Sequence, residues 1–292
     1  MADHLISDAE IARYSRTPSL ATVTAVASLQ NAIRDVLGSE YETFLQGSYR
    51  NDTSIRDLND VDIVAVLKGT FSGPFTGRAF PQPRTWPDIF GDVARRLATS
   101  ASFRGKTSFG NRCVRVTSSR QADVVPAVRI TRYDEDPIAI YSFREQKEKL
   151  SYPRTHYDNS VAKHKRTGQT YKAVVRMFKN WAANHWPSGS VARSFHLESL
   201  VYSVPDDRFS SDLGLAFFRI AYYIETLVPP SPAPVVLSVA GDKDILSAAE
   251  WNATDYARFH AQVGRSTTLL AAALEAKSQS EASKFWRAAF NE

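Results

Sequence analysis

The sequence is short of cysteine and has no long apolar run, and each shortage excludes a class of protein. Cys113 is the single cysteine among 292 residues, so no internal disulfide and no Cys-rich structural zinc site can form. It stands in the alternating stretch Cys113-Val-Arg-Val and is expected to be a small core residue. No segment approaches the ~18 consecutive apolar residues that a membrane-spanning helix needs. The opening stretch MADHLISDAEIARYSR holds acids and no apolar core, which speaks against a signal peptide and makes the cytoplasm the expected location. Internal repeats and low-complexity tails are absent too. What is present is an ordinary globular composition, 43% hydrophobic and 23% charged, in a chain long enough for one large domain or two lobes. A net charge of +5 suits a protein that handles polyphosphates or nucleic acid without separating the two.

Periodicity divides the chain. Ser7 to Glu10 offers a helix start, and apolar residues recur at helical spacing from Ile11 to Leu37, with a break expected at Thr17-Pro18 and a C-cap at Gly38. Strands are expected at 41–45, 61–67, 112–117 and 122–130, with a helix from Trp86-Pro87 to about Ser100. Residues 69–87, rich in Gly, Pro and aromatics, read as a long loop. After Asp136-Pro137 strand signals fade and helices are expected over 171–186, 194–204, 212–227 and 255–290. The expected fold is α+β, a mixed sheet with helices in residues 1–140 and a helical lobe in 141–292.

Asp60 and Asp62 carry the chemistry. At positions i and i+2 of a strand they project from one face, about 6 to 7 Å apart at Cα. Two acids on a strand otherwise made of Val, Ile and Ala need a positive partner, and a pair of Mg²⁺ ions is one that hard oxygen ligands suit. Asp123 interrupts the apolar run Ala-Asp-Val-Val-Pro-Ala-Val in the same way and is the candidate third acid. Twelve residues before Asp60, Gly47-Ser48 follows a strand. A glycine there lets backbone approach a phosphate, and the serine adds a hydroxyl and an amide as donors.

Gly47-Ser48 with Asp60-Val61-Asp62 resembles the signature of the polymerase-β-like nucleotidyltransferase superfamily. The longer run Gly-Ser-Tyr-Arg-Asn-Asp-Thr-Ser-Ile-Arg-Asp-Leu-Asn-Asp-Val-Asp-Ile resembles the bacterial CD-NTases, relatives of cyclic GMP-AMP synthase and oligoadenylate synthase. The resemblance continues through Asp-Val-Val-Pro-Ala (123–127), the helix Tyr-Lys-Ala-Val-Val-Arg-Met-Phe-Lys-Asn-Trp (171–181), Ser-Phe-His-Leu-Glu-Ser-Leu-Val (194–201) and the terminal Trp-Arg-Ala-Ala-Phe. It implies a polymerase-β-like lobe and a helical lobe with the active site in the cleft between them. Asp60 and Asp62 would bind both metals, and Asp123 the one that activates the acceptor ribose hydroxyl. Gly47 and Ser48 would hold the donor triphosphate, assisted by Lys179 and Ser194, with Lys172 or Arg176 as further candidates on the same helix face. The implied product is a cyclic oligonucleotide made from ATP, GTP, UTP or CTP with Mg²⁺, for which Mn²⁺ can substitute. The implied setting is CBASS anti-phage defence, with a regulatory or effector partner from the same operon and no membrane partner. One cysteine cannot build the zinc insertion that cyclic GMP-AMP synthase uses in DNA sensing.

Other residues are left with packing or solvation as their plain reading. These are His156, His164, His185 and His196; Tyr133, Tyr141, Tyr152 and Tyr157, one of which the family pattern would stack on a base; and the cations Arg50, Arg56, Lys163, Lys165 and Arg166. Two other functions stay open on the residues alone. One is transfer to a tRNA, protein or small-molecule acceptor, and the other is a catalytically inactive nucleotide- or RNA-binding module.

Overall fold

The computed structural model describes residues 6–55, 60–72, 84–118, 120–131 and 134–292, apart from the side chains of Asp60 and Leu227. Arg56, Tyr133 and most of the loop expected over 69–87 lie outside these residues. The chain forms two compact units.

The first unit is built on a mixed sheet, from Pro18–Asn51 and Asp57–Tyr157. Its strands are β1 (Tyr41–Gln46), β2 (Asp60–Phe71), β3 (Thr107–Phe109), β4 (Val114–Thr117), β5 (Gln121–Arg129), β6 (Ile138–Ser142) and β7 (Lys147–Ser151). The main path runs β1-β2-β5-β4-β3, with β6 on β5 and β7 on β6. Among the described residues only β2 and β5 pair in parallel. With β2 on one edge of β5, the other edge is shared: β4 pairs with Gln121 to Val124 and β6 with Ala127 to Arg129. Pro126 falls in the gap, where a residue without N–H is tolerated.

Alternation along β2 sets the two faces. Val61, Ile63, Ala65 and Leu67 pack with Val26, Ile33, Ile89, Phe90, Val93 and Leu97, which come from α2 (Leu20–Leu37) and α4 (Trp86–Thr99). Asp62, Val64 and Val66 therefore point to the opposite face. Both helices are capped as their sequences dictate. Ser19 accepts from Thr22 N, and Gly38 takes φ 74 at the end of α2. Thr85 and Asp88 form a capping box at α4, with Pro87 in the first turn.

The second unit is helical and takes the chain up to Thr17, Asp52–Arg56 and Asp158–Glu292. It contains α1 (Asp8–Tyr14) and most of α5 (Pro153–Arg166). The rest are α6 (Tyr171–His185), α7 (Ser194–Ser203), α8 (Leu213–Leu227), α9 (Ala253–Glu275) and α10 (Gln279–Ala289). Trp181, Phe178, Phe217, Phe259 and Phe290 fill its core, each at most 1% exposed. Among the described residues no helix is long and apolar enough to cross a membrane.

Three expectations change. The units divide at Tyr157 and Asp158 rather than at residue 140, because β6 and β7 extend the sheet. β7 reads Lys-Glu-Lys-Leu-Ser and is mostly exposed, as suits a charged edge strand without apolar alternation. α1 belongs with the helical unit, since the Tyr14 ring stacks on Phe290 at 3.9 Å. The helix expected over 255–290 is two, with Ser278 capping the second by accepting from Glu281 N.

Candidate active site

Strand register lines up one row of side chains across the sheet. Gln46 stands opposite Asp62, Asp62 opposite Asp123, Asp123 opposite Arg115, and Arg115 opposite Ser108. Residues opposite one another on neighbouring strands share a face about 4.8 Å apart. Asp62 and Asp123, 61 positions apart in sequence, are thus adjacent. Asp60 opens β2 two residues earlier; its side chain lies outside the described residues.

Gly47 is fixed by this arrangement in two ways. It turns the chain out of β1 with φ +67, and a Cβ there would stand 2.8 Å from Asp62 Oδ2. Only glycine accepts the first without strain and leaves the second space open. Ser48 follows, half-buried, in the single turn α3 (Gly47–Arg50). The other end of the row is charged. Arg115 Nε donates to Asp123 Oδ1 at 3.0 Å and Nη2 to Oδ2 at 3.4 Å. Cys113 is buried as expected, and burial first, then the Asp123 charge, pushes its thiol up to about 12.

These donors fit a divalent metal. Hard carboxylate oxygens from adjacent strands share one face, Asp62 is exposed, and the missing Gly47 side chain leaves room beside its Oδ2. Among the described residues, which do not include the Asp60 side chain, no group of three His, Cys, Asp or Glu side chains is placed to hold a metal.

In the helical unit, Lys172, Arg176 and Lys179 do share one face of α6, and they turn to protein groups. Lys179, with a side chain 2% exposed, is ion-paired to Glu198 and donates to Thr53 Oγ1 at 3.0 Å. Thr53 Oγ1 in turn donates to Glu198 Oε1 at 2.6 Å. Arg176 donates to Ser15 O at 2.8 Å and Asp52 O at 2.7 Å. Lys172 lies 3.9 Å from Asp52, and burial lowers the affinity of both Lys172 and Arg176 for their protons. Ser194 is exposed at the start of α7.

The weaker candidates scatter. His196 is buried, stacked on Trp251 at 4.2 Å, and held down to about 4 mainly by burial. His185 Nε2 lies 3.1 Å from Ala289 O. Lys163 is buried on Asp206 at 2.7 Å, which Arg166 shares at 2.8 Å. Tyr141 stacks on Trp86 and Tyr157 lies under Arg50. Sequence reasoning missed Arg115 as the partner of Asp123, and Thr53 and Glu198 as the partners of Lys179. Arg115 gains its meaning only from the strand register, which sets it opposite Asp123.

The chain is similar to several known proteins. The model of the cGAS/DncV-like nucleotidyltransferase C-terminal helical domain matches residues 158–266. The chain is 33% identical over 203 residues to the cyclic UMP-AMP synthase of Rhodothermus marinus, covering 63% of this chain and 70% of that protein. It is 30% identical over 219 residues to the cyclic dipurine nucleotide synthase of Elizabethkingia meningoseptica, covering 68% and 75%. The solved structure of the Rhodothermus marinus CdnE c-UMP-AMP synthase with Apcpp and Upnpp superposes with a TM-score of 0.72 at 26% identity, over 89% of this chain and 97% of that one.

Proposed function

This chain belongs to the cGAS/DncV-like nucleotidyltransferases, the bacterial CD-NTases, and from that membership we propose that it condenses nucleoside triphosphates into a cyclic oligonucleotide signal. The observation that carries the proposal is the in-register pair Asp62–Asp123 beside the Gly47-Ser48 turn. In each condensation a ribose hydroxyl attacks an α-phosphorus, a new P–O ester bond forms, the bond to the bridging oxygen breaks, and pyrophosphate leaves. The last condensation is intramolecular and closes the ring. Asp60, Asp62 and Asp123 would hold two Mg²⁺, with Mn²⁺ able to substitute. When bound, the pair lowers the pKa of the attacking hydroxyl and neutralises charge on the transferred group.

The chain's own residues position and neutralise. Backbone at Gly47 approaches the triphosphate where no side chain intervenes, and the Ser48 hydroxyl donates to it. Ser194 is exposed and able to donate as well. Lys179 would reach a phosphate only by leaving Glu198 and Thr53, so its part in gripping the triphosphate includes breaking that contact. The names of the relatives point to nucleotide substrates and cyclic products, and the setting that fits is CBASS anti-phage signalling in the cytoplasm.

The test needs no added acceptor. The chain is incubated with the four triphosphates and Mg²⁺, and the products are treated with phosphatase. A ring has no terminal phosphate and survives, which mass spectrometry reads directly. Asp62→Asn should keep its fold by circular dichroism and lose about a thousand-fold in product, as several kcal/mol of charge stabilisation implies. A fully active Asp62→Asn, or products that all yield to phosphatase, would sink the proposal.

A further inference from the structure

Asp123 is already engaged in the row. Arg115 grips both of its carboxylate oxygens, at 3.0 and 3.4 Å, and two donors on two oxygens fix the plane of a carboxylate as one donor cannot. The contact comes from the directly opposing residue of β4, so strand pairing itself brings the guanidinium there. The pair stays within reach of solvent and ions, with Arg115 43% and Asp123 23% exposed. Arginine does not deprotonate, so this counter-charge is permanent. Asp62 stands on the other side of Asp123, on a neighbouring strand whose backbone runs about 4.8 Å away, and two carboxylates on opposed positions of one face repel each other.

We propose that Arg115 is a positioning residue for Asp123. It neutralises and orients the third carboxylate in the metal-free chain, and competes with an arriving divalent cation for the same oxygens. The inference rests on the reading of Asp62 and Asp123 as metal ligands. It has two opposite consequences at one position. Losing Arg115 weakens the fold when the site is empty, because Asp62 and Asp123 then repel more strongly. The same loss tightens cation binding, because no guanidinium has to be displaced. A salt bridge that only stabilises the β4–β5 hairpin gives the first effect and not the second.

The test is a double-mutant cycle read without turnover. Mn²⁺ is titrated calorimetrically into the wild-type chain, Arg115→Met, Asp123→Asn and the double variant, with no nucleotide present. Each protein is also melted in chelator and in saturating Mn²⁺. Arg115→Met should bind Mn²⁺ about threefold more tightly, the size expected for a half-exposed pair. It should melt lower than wild type in chelator and gain more from Mn²⁺. In the Asp123→Asn background the Arg115 substitution should change neither quantity. Equal affinities and equal gains in wild type and Arg115→Met overturn the proposal. A gain that persists without Asp123 overturns it too, since Arg115 would then act elsewhere. If Arg115→Met fails to fold, Arg115→Lys keeps the charge without the two-point hold and is read by the same cycle. An active Asp62→Asn would remove the transferase reading while leaving this coupling measurable, so the two failures are distinct.

Discussion

Gly47 shows how much chemistry a missing side chain can hold. Two constraints meet there, a left-handed backbone with φ +67 and a contact that would put Cβ 2.8 Å from Asp62 Oδ2. The clash is with the tip of a side chain, which can turn away, so it costs little stability. It costs function instead, because the displaced atom is a carboxylate oxygen of the candidate metal site. Gly47→Ala should therefore lose only about 1–2 kcal/mol of stability, from the backbone term, while product formation falls by far more than that loss explains. Chemical denaturation and product yield, measured on the same preparation, check the split; parallel small losses would mean the Asp62 carboxylate has room to spare. The pairing of Asp60 with Asp62 is an expectation from period-two alternation, which fixes which side chains of a strand share a face; of the two carboxylates, Asp62 is the one among the described side chains. Asp123 needed the family pattern, since a lone acid in a strand names no neighbour until register is known. Arg115 was hidden for the same reason: its meaning lies in its opposite number on β5.

At the scale of elements, α6 makes the instructive case. The four- and three-residue spacing of Lys172, Arg176 and Lys179 gives one helix face, and the structure has it. Periodicity does not say what that face meets, and here it meets the segment that starts at Asp52. That segment follows the Gly47-Ser48 turn and precedes Asp60, so the chain passes through the helical unit between two parts of the candidate site. The strongest hold is the Lys179–Glu198 pair with Thr53 between its members, all nearly inaccessible to water. Glu198→Ala would strand the Lys179 charge in the core and should cost about 3–5 kcal/mol. The double change Lys179→Met with Glu198→Leu should recover most of that, because apolar groups of similar size need no partner. Urea unfolding of the two variants decides it; equal losses would show that the stranded charge is not the cause. Strand β7 was not legible, since Lys147 to Ser151 has neither apolar alternation nor burial, and an edge strand needs neither to pair.

For the whole molecule, the path of the chain matters more than a boundary number. The helical unit draws on three separate stretches, ending with Asp158–Glu292. Helical periodicity dominates after residue 158, yet the core of those helices is completed from elsewhere. Ile6, Ile11 and Tyr14 belong to the same apolar cluster as Phe217, Trp286 and Phe290, and Tyr14 is 2% exposed against the Phe290 ring at 3.9 Å. Thr53 supplies the hydroxyl between Lys179 and Glu198. A fragment of residues 158–292 would lack all of these. Each lost large apolar group withdraws about 2–4 kcal/mol, comparable in sum to the whole stability of a domain of this size. We expect that fragment to lose its cooperative melting transition and to expose apolar surface to a hydrophobic dye. Supplying residues 1–157 on a second chain should restore both, because the missing groups need to be present but not covalently joined. A sharp, dye-silent transition in 158–292 alone would mean that the N-terminal helix and the Thr53 segment decorate a core already complete without them.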